Sequence, residues 1–188
     1  RDGGSGGCCS GLQGRHGMLV GMGAVGLVLE RREDVEARGM IPVARLVATK
    51  IANSAYHGSR LHVEHIAKEA RTLVDTAAKR LGTSADALGP ETIFVSHETY
   101  TPARGGSASA EAAAMRAAIG ANATKALITN TKRFTGHPMG AGIEDALAVK
   151  ALQYGKVPPI ANLKEIDPEF ADIFFERVLD TPDARARR

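Results

Sequence analysis

The alternation of hydrophobic and polar positions along this 188-residue chain changes period several times, and each change predicts an element. Residues 1–14 contain six glycines and almost nothing to bury, which predicts a flexible lead-in. Residues 18–29 are an apolar run interrupted by Gly21, Gly23 and Gly26, the pattern of a buried strand. Residues 33–38 fit a short helix ending at Gly39, and residues 42–51 alternate in their middle as a second strand would. Val63, Ile66, Ala67, Ala70, Leu73, Val74, Ala77, Ala78 and Leu81 then recur at three- and four-residue spacing. That spacing predicts an amphipathic helix, with Gly82 as its C-cap. After a turn-rich stretch over 83–91, residues 92–96 form a short β-rich strand that ends directly on His97. Ser107 or Ser109 can cap an Ala-rich helix through Ile119, stopped by Gly120. Residues 126–129 are a further short strand ending just before Lys132, and the loop 133–142 opens a helix through Leu152 that Gly155 closes. Pro158 and Pro159 enforce an extended segment.

The order strand, strand, helix, strand, helix, strand, helix predicts an α/β sheet with helices packed on it. Such sheets place function at the carboxyl ends of their strands, here His97 and the loop from Lys132 to His137. Composition narrows the class. Hydrophobic residues at 44% and charged residues at 24% are ordinary for a soluble domain and exclude a disordered tail or a disulfide-stapled miniprotein. Aromatics at 4% with no Trp, beside 21 glycines, imply a core built on close approach of small residues. The net charge of +3 comes without a basic stripe or interleaved aromatics, which argues against nucleic acid as a partner. The 12-residue run at 18–29 is too short to cross a bilayer and leads into charged residues 30–34 instead of a cleavage site. The expectation is a cytoplasmic protein with no membrane partner. Its first residue, Arg1, suggests a piece of a larger protein.

Three motifs invite chemistry that their context does not support. Gly21-Met-Gly-Ala-Val-Gly26 matches the dinucleotide fingerprint, but the β-like run Leu27-Val-Leu29 follows where a helix must open, so a packed glycine-rich strand explains it better. A dinucleotide-binding oxidoreductase therefore stands only as a third reading. His62, His65 and Glu69 share one helical face, but that face is the polar one, and the expectation is solvation with no metal. Cys8 and Cys9 are neighbours in a glycine-rich lead-in, without the cation or rigid helix N-terminus that activates a thiolate. The stronger constellation is His97 and His137, each after a short apolar strand, with Lys132 ahead of the second. Two imidazoles can donate hydrogen bonds to a developing enolate or thioester oxyanion, and a buried lysine can fix their charge state.

These residues sit in segments that resemble the C-terminal half of the β-ketoacyl synthases of fatty-acid and polyketide assembly. The stretch from Arg15 to Glu30 is similar to the family's R-D-G-F-x-x-G-E-G-A-G-x-L-V-L-E, and Asn53-Ser-Ala-Tyr-His57 to S-D-A-Y-H. His97-Glu-Thr-Tyr-Thr-Pro102 resembles H-G-T-x-T-P, with Glu111 as the acidic residue on the following helix. Thr131-Lys-Arg-Phe-Thr-Gly-His137 resembles T-K-S-x-x-G-H, and residues 151–163 the tail A-L-x-x-G-x-x-P-P…N-L. The likeness covers residues 15–170 and is closest in flavour to a type I polyketide synthase module.

The resemblance implies a thiolase-like layered α/β/α fold, of which this chain is the C-terminal half, with residues 171–188 a divergent charged tail. It implies that His97 and His137 are the pair that assists malonyl decarboxylation, and that Lys132 is the family's lysine, with Glu144 as its glutamate. It also implies that Thr99 and Thr101 stand near a phosphopantetheine arm and His57 near the malonyl end. No cofactor is expected on the chain itself, because the substrates ride on the phosphopantetheine of an acyl carrier protein. The other implied partners are the missing N-terminal half, which carries the cysteine nucleophile, and a second copy in a homodimeric parent. A non-catalytic scaffold that only docks on a partner is the alternative. The sequence departs from the family at Glu98, where the pattern has glycine, at Met22 in place of Glu, at His16 in place of Asp, and in extra residues after Pro102.

Overall fold

The computed structural model describes residues 20–55, 61–98, 107–137 and 142–161. Two parallel strands form its centre, β1 (Ile93–Ser96) and β2 (Leu127–Asn130), in the register Ile93 to Leu127 through Ser96 to Asn130. Alternation of side chains across the strands separates two packed layers. Phe94 faces the cluster of Met115, Ala118, Ile119, Ala123 and Ala126, joined by Ala70 and Val74. Ile93 and Leu127 turn the other way, onto Ala151 and Val157. The helices are α1 (Arg32–Ala37), α2 (Val63–Leu81), α3 (Ala85–Leu88), α4 (Ser107–Ile119), α5 (Lys132–Thr135) and α6 (Ile143–Tyr154). Helices α2 and α4 thus cover one face of the strand pair and α6 the other. Small residues dominate both clusters, so helix and strand backbones approach closely where a larger aromatic core would hold them apart.

Helix α2 follows the predicted stripe and stops where predicted. Gly82 is left-handed at φ 70°, and the Thr83 amide donates to the Ala78 carbonyl (3.0 Å), a Schellman closure. Ser84 caps α3 through the Ala87 amide (3.2 Å), within the segment the sequence marks only as turn-rich. Three further short helical pieces were not expected: 3₁₀ segments at Gly89–Glu91 and, after α4, at Gly120–Lys125, and α5 at the mouth of β2.

The two strands expected at 18–29 and 42–51 are absent among the described residues. From Val20 to Leu29 the chain forms no strand, and its one ladder contact among the described residues is a bridge between Val20 and His137. The second segment rides on α2 instead, where Arg80 donates to the Val47 carbonyl (2.6 Å) and Lys50 pairs with Glu69 (2.6 Å). Met22, Ile41 and Ile51 are more than 90% exposed. Apolar periodicity states what a segment is able to bury; whether it becomes a strand depends on a neighbour that supplies the other half of each backbone hydrogen bond.

Candidate functional site

Parallel pairing brings the carboxyl ends of β1 and β2 side by side, and the polar residues there form one connected network. Ser96 and Asn130 are register partners and lie on the α4 side of the strands. Glu111 reaches them from α4: its carboxylate accepts from the Ser96 hydroxyl (2.6 Å) and from the His97 amide (2.7 Å). Asn130 donates its side-chain amide to the carbonyls of Ser96 (3.2 Å) and Glu98 (3.1 Å), and its side-chain oxygen accepts from the Lys132 amide (2.8 Å). The backbone on both sides of His97, and the start of α5, are therefore pinned by side chains.

His97 and His137 meet edge to face, with ring centroids 5.1 Å apart and planes at 80°. The position of His137 depends on two glycines. Gly136 adopts φ 65° and ψ −167°, a conformation open essentially to glycine alone. Gly21 donates its amide to the His137 carbonyl (3.0 Å), and a Cβ at that position would overlap the Thr135 carbonyl oxygen. The first glycine of the dinucleotide-like motif is thus a packing residue beneath the His137 loop.

Lys132 is buried and forms a salt bridge with Glu144 at the start of α6. Its burial pushes its pKa below the ordinary lysine value, while the nearby Glu111 carboxylate pulls it back up. Desolvation lowers the pKa of His97, helped by the positive field of Lys132 and then by His137; desolvation and Lys132 do the same to His137. Both rings are therefore neutral at neutral pH, each keeping one N–H to donate. The Nδ1 atom of His137 is buried without a hydrogen-bond partner among the described residues. Glu111 is pushed up to about 7 by desolvation, against the hydrogen bonds from Ser96 and His97.

The folded protein holds the Glu111 proton more tightly than the unfolded chain does. Its stabilising contribution is complete below the ordinary carboxylate value and is lost as pH rises through about 7. Unfolding of the chain should therefore become easier by about 3 kcal/mol between pH 4.5 and pH 8, and Glu111→Gln should flatten that slope in denaturant titrations. Equal slopes in the two proteins would refute the assignment.

Of the residues singled out from the sequence, His97, His137, Lys132, Glu144 and Glu111 come together here. His57, Thr99 and Thr101, like Cys8 and Cys9, lie outside the described residues. The other histidine cluster takes a different form: His62 and His65 stack with centroids 5.8 Å apart, and the hydrogen bond from Lys50 holds the Glu69 carboxyl below the usual range. Among the described residues no group of three metal-ligating side chains is assembled, and no helix is long and apolar enough to cross a membrane. Ser96 and Asn130 were missed by sequence reasoning. Their signal was positional, since each is the polar last residue of a short strand that begins on two apolar residues.

Residues 44–164 match the family model for the β-ketoacyl synthase C-terminal domain. The chain belongs to the β-ketoacyl synthase family. It is 30% identical over 167 residues to 3-oxoacyl-(acyl-carrier-protein) synthase 2 of Coxiella burnetii, covering 87% of this chain and 38% of that relative. It is similar in structure to the ishigamide ketosynthase/chain length factor, with a TM-score of 0.69 and 28% identity over 90% of this chain and 39% of the other. A ketosynthase solved in complex with its type II acyl-carrier protein and bound to a hexaketide superposes with a TM-score of 0.75 at 22% identity, covering 100% of this chain and 44% of that one. The fold is accordingly the C-terminal half of a thiolase-like ketosynthase, and the chain spans about two fifths of the length of these relatives.

Proposed function

We propose that this chain supplies the histidine-bearing half of a β-ketoacyl synthase, which condenses an acyl thioester with a malonyl-type extender by decarboxylative Claisen chemistry. The observation that carries the reading is the pair of imidazoles with ring centroids 5.1 Å apart, accompanied by a buried lysine that is paired with Glu144. In the reaction the bond between the malonyl methylene carbon and its carboxylate breaks, carbon dioxide leaves, and the electron pair moves into an enolate. The enolate oxygen takes hydrogen bonds from His97 and His137, whose N–H groups stand ready without reorganisation. The carbanion carbon then attacks the acyl thioester carbonyl, and the cysteine thiolate of the other half departs. Desolvation first, and then the charge of Lys132 held by Glu144, disfavour protonation of both rings and so preserve them as neutral donors.

The acyl carrier protein is the proposed carrier of substrate, with its phosphopantetheine arm passing Thr99 and Thr101 and the malonyl end near His57. The cysteine-bearing N-terminal half is the proposed partner, in a homodimeric cytoplasmic parent. The exposed apolar residues between Val20 and Ile51 support a covering partner of this kind. In this reading residues 1–14 form the lead-in, 15–170 the synthase domain and 171–188 the tail.

Co-expression of this chain with a family N-terminal half, supplied with malonyl-loaded carrier protein, tests the reading. Carbon dioxide release that requires both halves and both histidines is the expected result. Assembly of the two halves with release indifferent to both histidines would replace it with the scaffold reading.

A further inference from the structure

We propose that Asn130 is a positioning residue for both histidines: its one side-chain amide holds the His97 turn with its nitrogen and the start of α5, which leads to His137, with its oxygen, and so sets the spacing of the two rings. Asparagine is depleted in strands, and a buried amide is costly unless its polar atoms are bonded, yet Asn130 closes β2 at 4% exposure. It stands at the end of the ladder, where Ser96 and Asn130 are the last register pair. Just beyond that pair its side chain carries the connection on.

On the first side the chain turns at His97. The Glu98 amide donates to Ser96 Oγ (3.0 Å), the short turn a serine closes on the backbone two residues ahead. Asn130 Nδ2 donates to the carbonyls of Ser96 (3.2 Å) and Glu98 (3.1 Å) and lies 3.4 Å from Ser96 Oγ. Alternate carbonyls of an extended strand stand about 6.6 Å apart. Two that share one nitrogen at these distances are drawn closer, so the Asn130 amide holds the turn shut. Ser96 and Glu98 are buried, and His97 is the exposed residue between them.

On the second side the Lys132 amide donates to Asn130 Oδ1 (2.8 Å), which fixes the first residue of α5. From there to His137 the chain is tightly bonded. The Thr131 carbonyl accepts from the amides of Phe134 (2.8 Å) and Thr135 (3.1 Å), and the Lys132 carbonyl accepts from the Gly136 amide (2.9 Å). A displacement of the Lys132 backbone is therefore passed on to His137. Glu111 holds the His97 side and Glu144 the Lys132 side, whereas the planar Asn130 amide bonds to both. That the spacing serves catalysis rests on the function proposed above; the spacing itself does not.

The test is NMR of the full 188-residue chain. It reads the nuclear Overhauser contact between the His97 and His137 rings and the hydrogen exchange of the Lys132 amide. Asn130→Ala and Asn130→Leu should both lose the inter-ring contact and exchange the Lys132 amide about tenfold faster, the protection given by one hydrogen bond. An intact contact in either variant overturns the proposal; in the leucine variant, which restores the volume without the polar ends, it would reduce Asn130 to packing. Asn130→Asp keeps an oxygen for the Lys132 amide and loses the donors to the His97 turn. It should lose the ring contact while Lys132 exchange stays near the wild-type rate, and exchange as fast as in the alanine variant refutes the two-ended role. Should no variant fold, the wild type decides: both Nδ2 hydrogens of Asn130 should exchange slowly, and rapid exchange of either overturns the assignment. Because none of these readouts involves turnover, their failure and a failure of the condensation reading are separable.

Discussion

In the reassembled enzyme, His137→Ala is expected to slow decarboxylation of malonyl carrier protein by about 10²–10³-fold, the cost of removing one preorganised donor to a developing oxyanion. His97→Ala should show a loss of similar size. The two rings stand edge to face and share the field of Lys132; under the proposed function both would donate to one charge, and the double variant should fall well short of the product of the single losses. Single-turnover release of labelled carbon dioxide is the measurement, because it separates the chemical step from acyl transfer to the cysteine. A loss of less than about tenfold in either variant would remove the histidines as enolate donors. The pH dependence has a definite sign. Both histidine pKa values lie below the ordinary imidazole value, so the rate should hold at neutral pH and fall only as acidity protonates the rings. Lys132→Met, by removing a positive charge, should move that acid limb to higher pH.

Glu144→Ala should have the largest effect on folding. It leaves the Lys132 ammonium, whose side chain is 1% exposed, without its counter-charge, and breaking a buried pair from that side costs about 3–5 kcal/mol. The opposite deletion, Lys132→Met, should cost less, because Glu144 retains 20% exposure and can turn to water. The deficit in Glu144→Ala should also shrink as pH rises. Burial already weakens the hold of Lys132 on its proton, so at alkaline pH the stranded group escapes the penalty by becoming neutral. Urea unfolding of the chain at neutral and alkaline pH measures both points. A cost below about 1 kcal/mol at neutral pH would mark the pair as no stronger than a surface salt bridge.

The pattern of small and apolar residues was enough to place α2, α4 and α6 and the two paired strands, because each contains its own period and its own stop. Gly82, Gly120 and Gly155 end helices by a left-handed conformation or a turn that is written locally. The histidines and Lys132 were legible for a related reason: each comes after a short apolar run, near a strand end, where an α/β sheet gathers polar side chains. Segments 18–29 and 42–51 misled because a strand is a relation between two pieces of chain. Their apolar residues record a surface fit for burial, and among the described residues much of it stays exposed.

By itself the sequence determined the order of α2, β1, α4, β2 and α6, the family resemblance and the candidate residues of the site. Only the tertiary structure decided how those groups act on one another. The parallel register sets Ser96 beside Asn130, and the packing of α4 brings Glu111 under the His97 amide. The seating of α6 presents Glu144 to Lys132. These are electrostatic relations across 12 to 34 positions of chain, and their strength depends on distance and burial, which no local pattern of residues encodes.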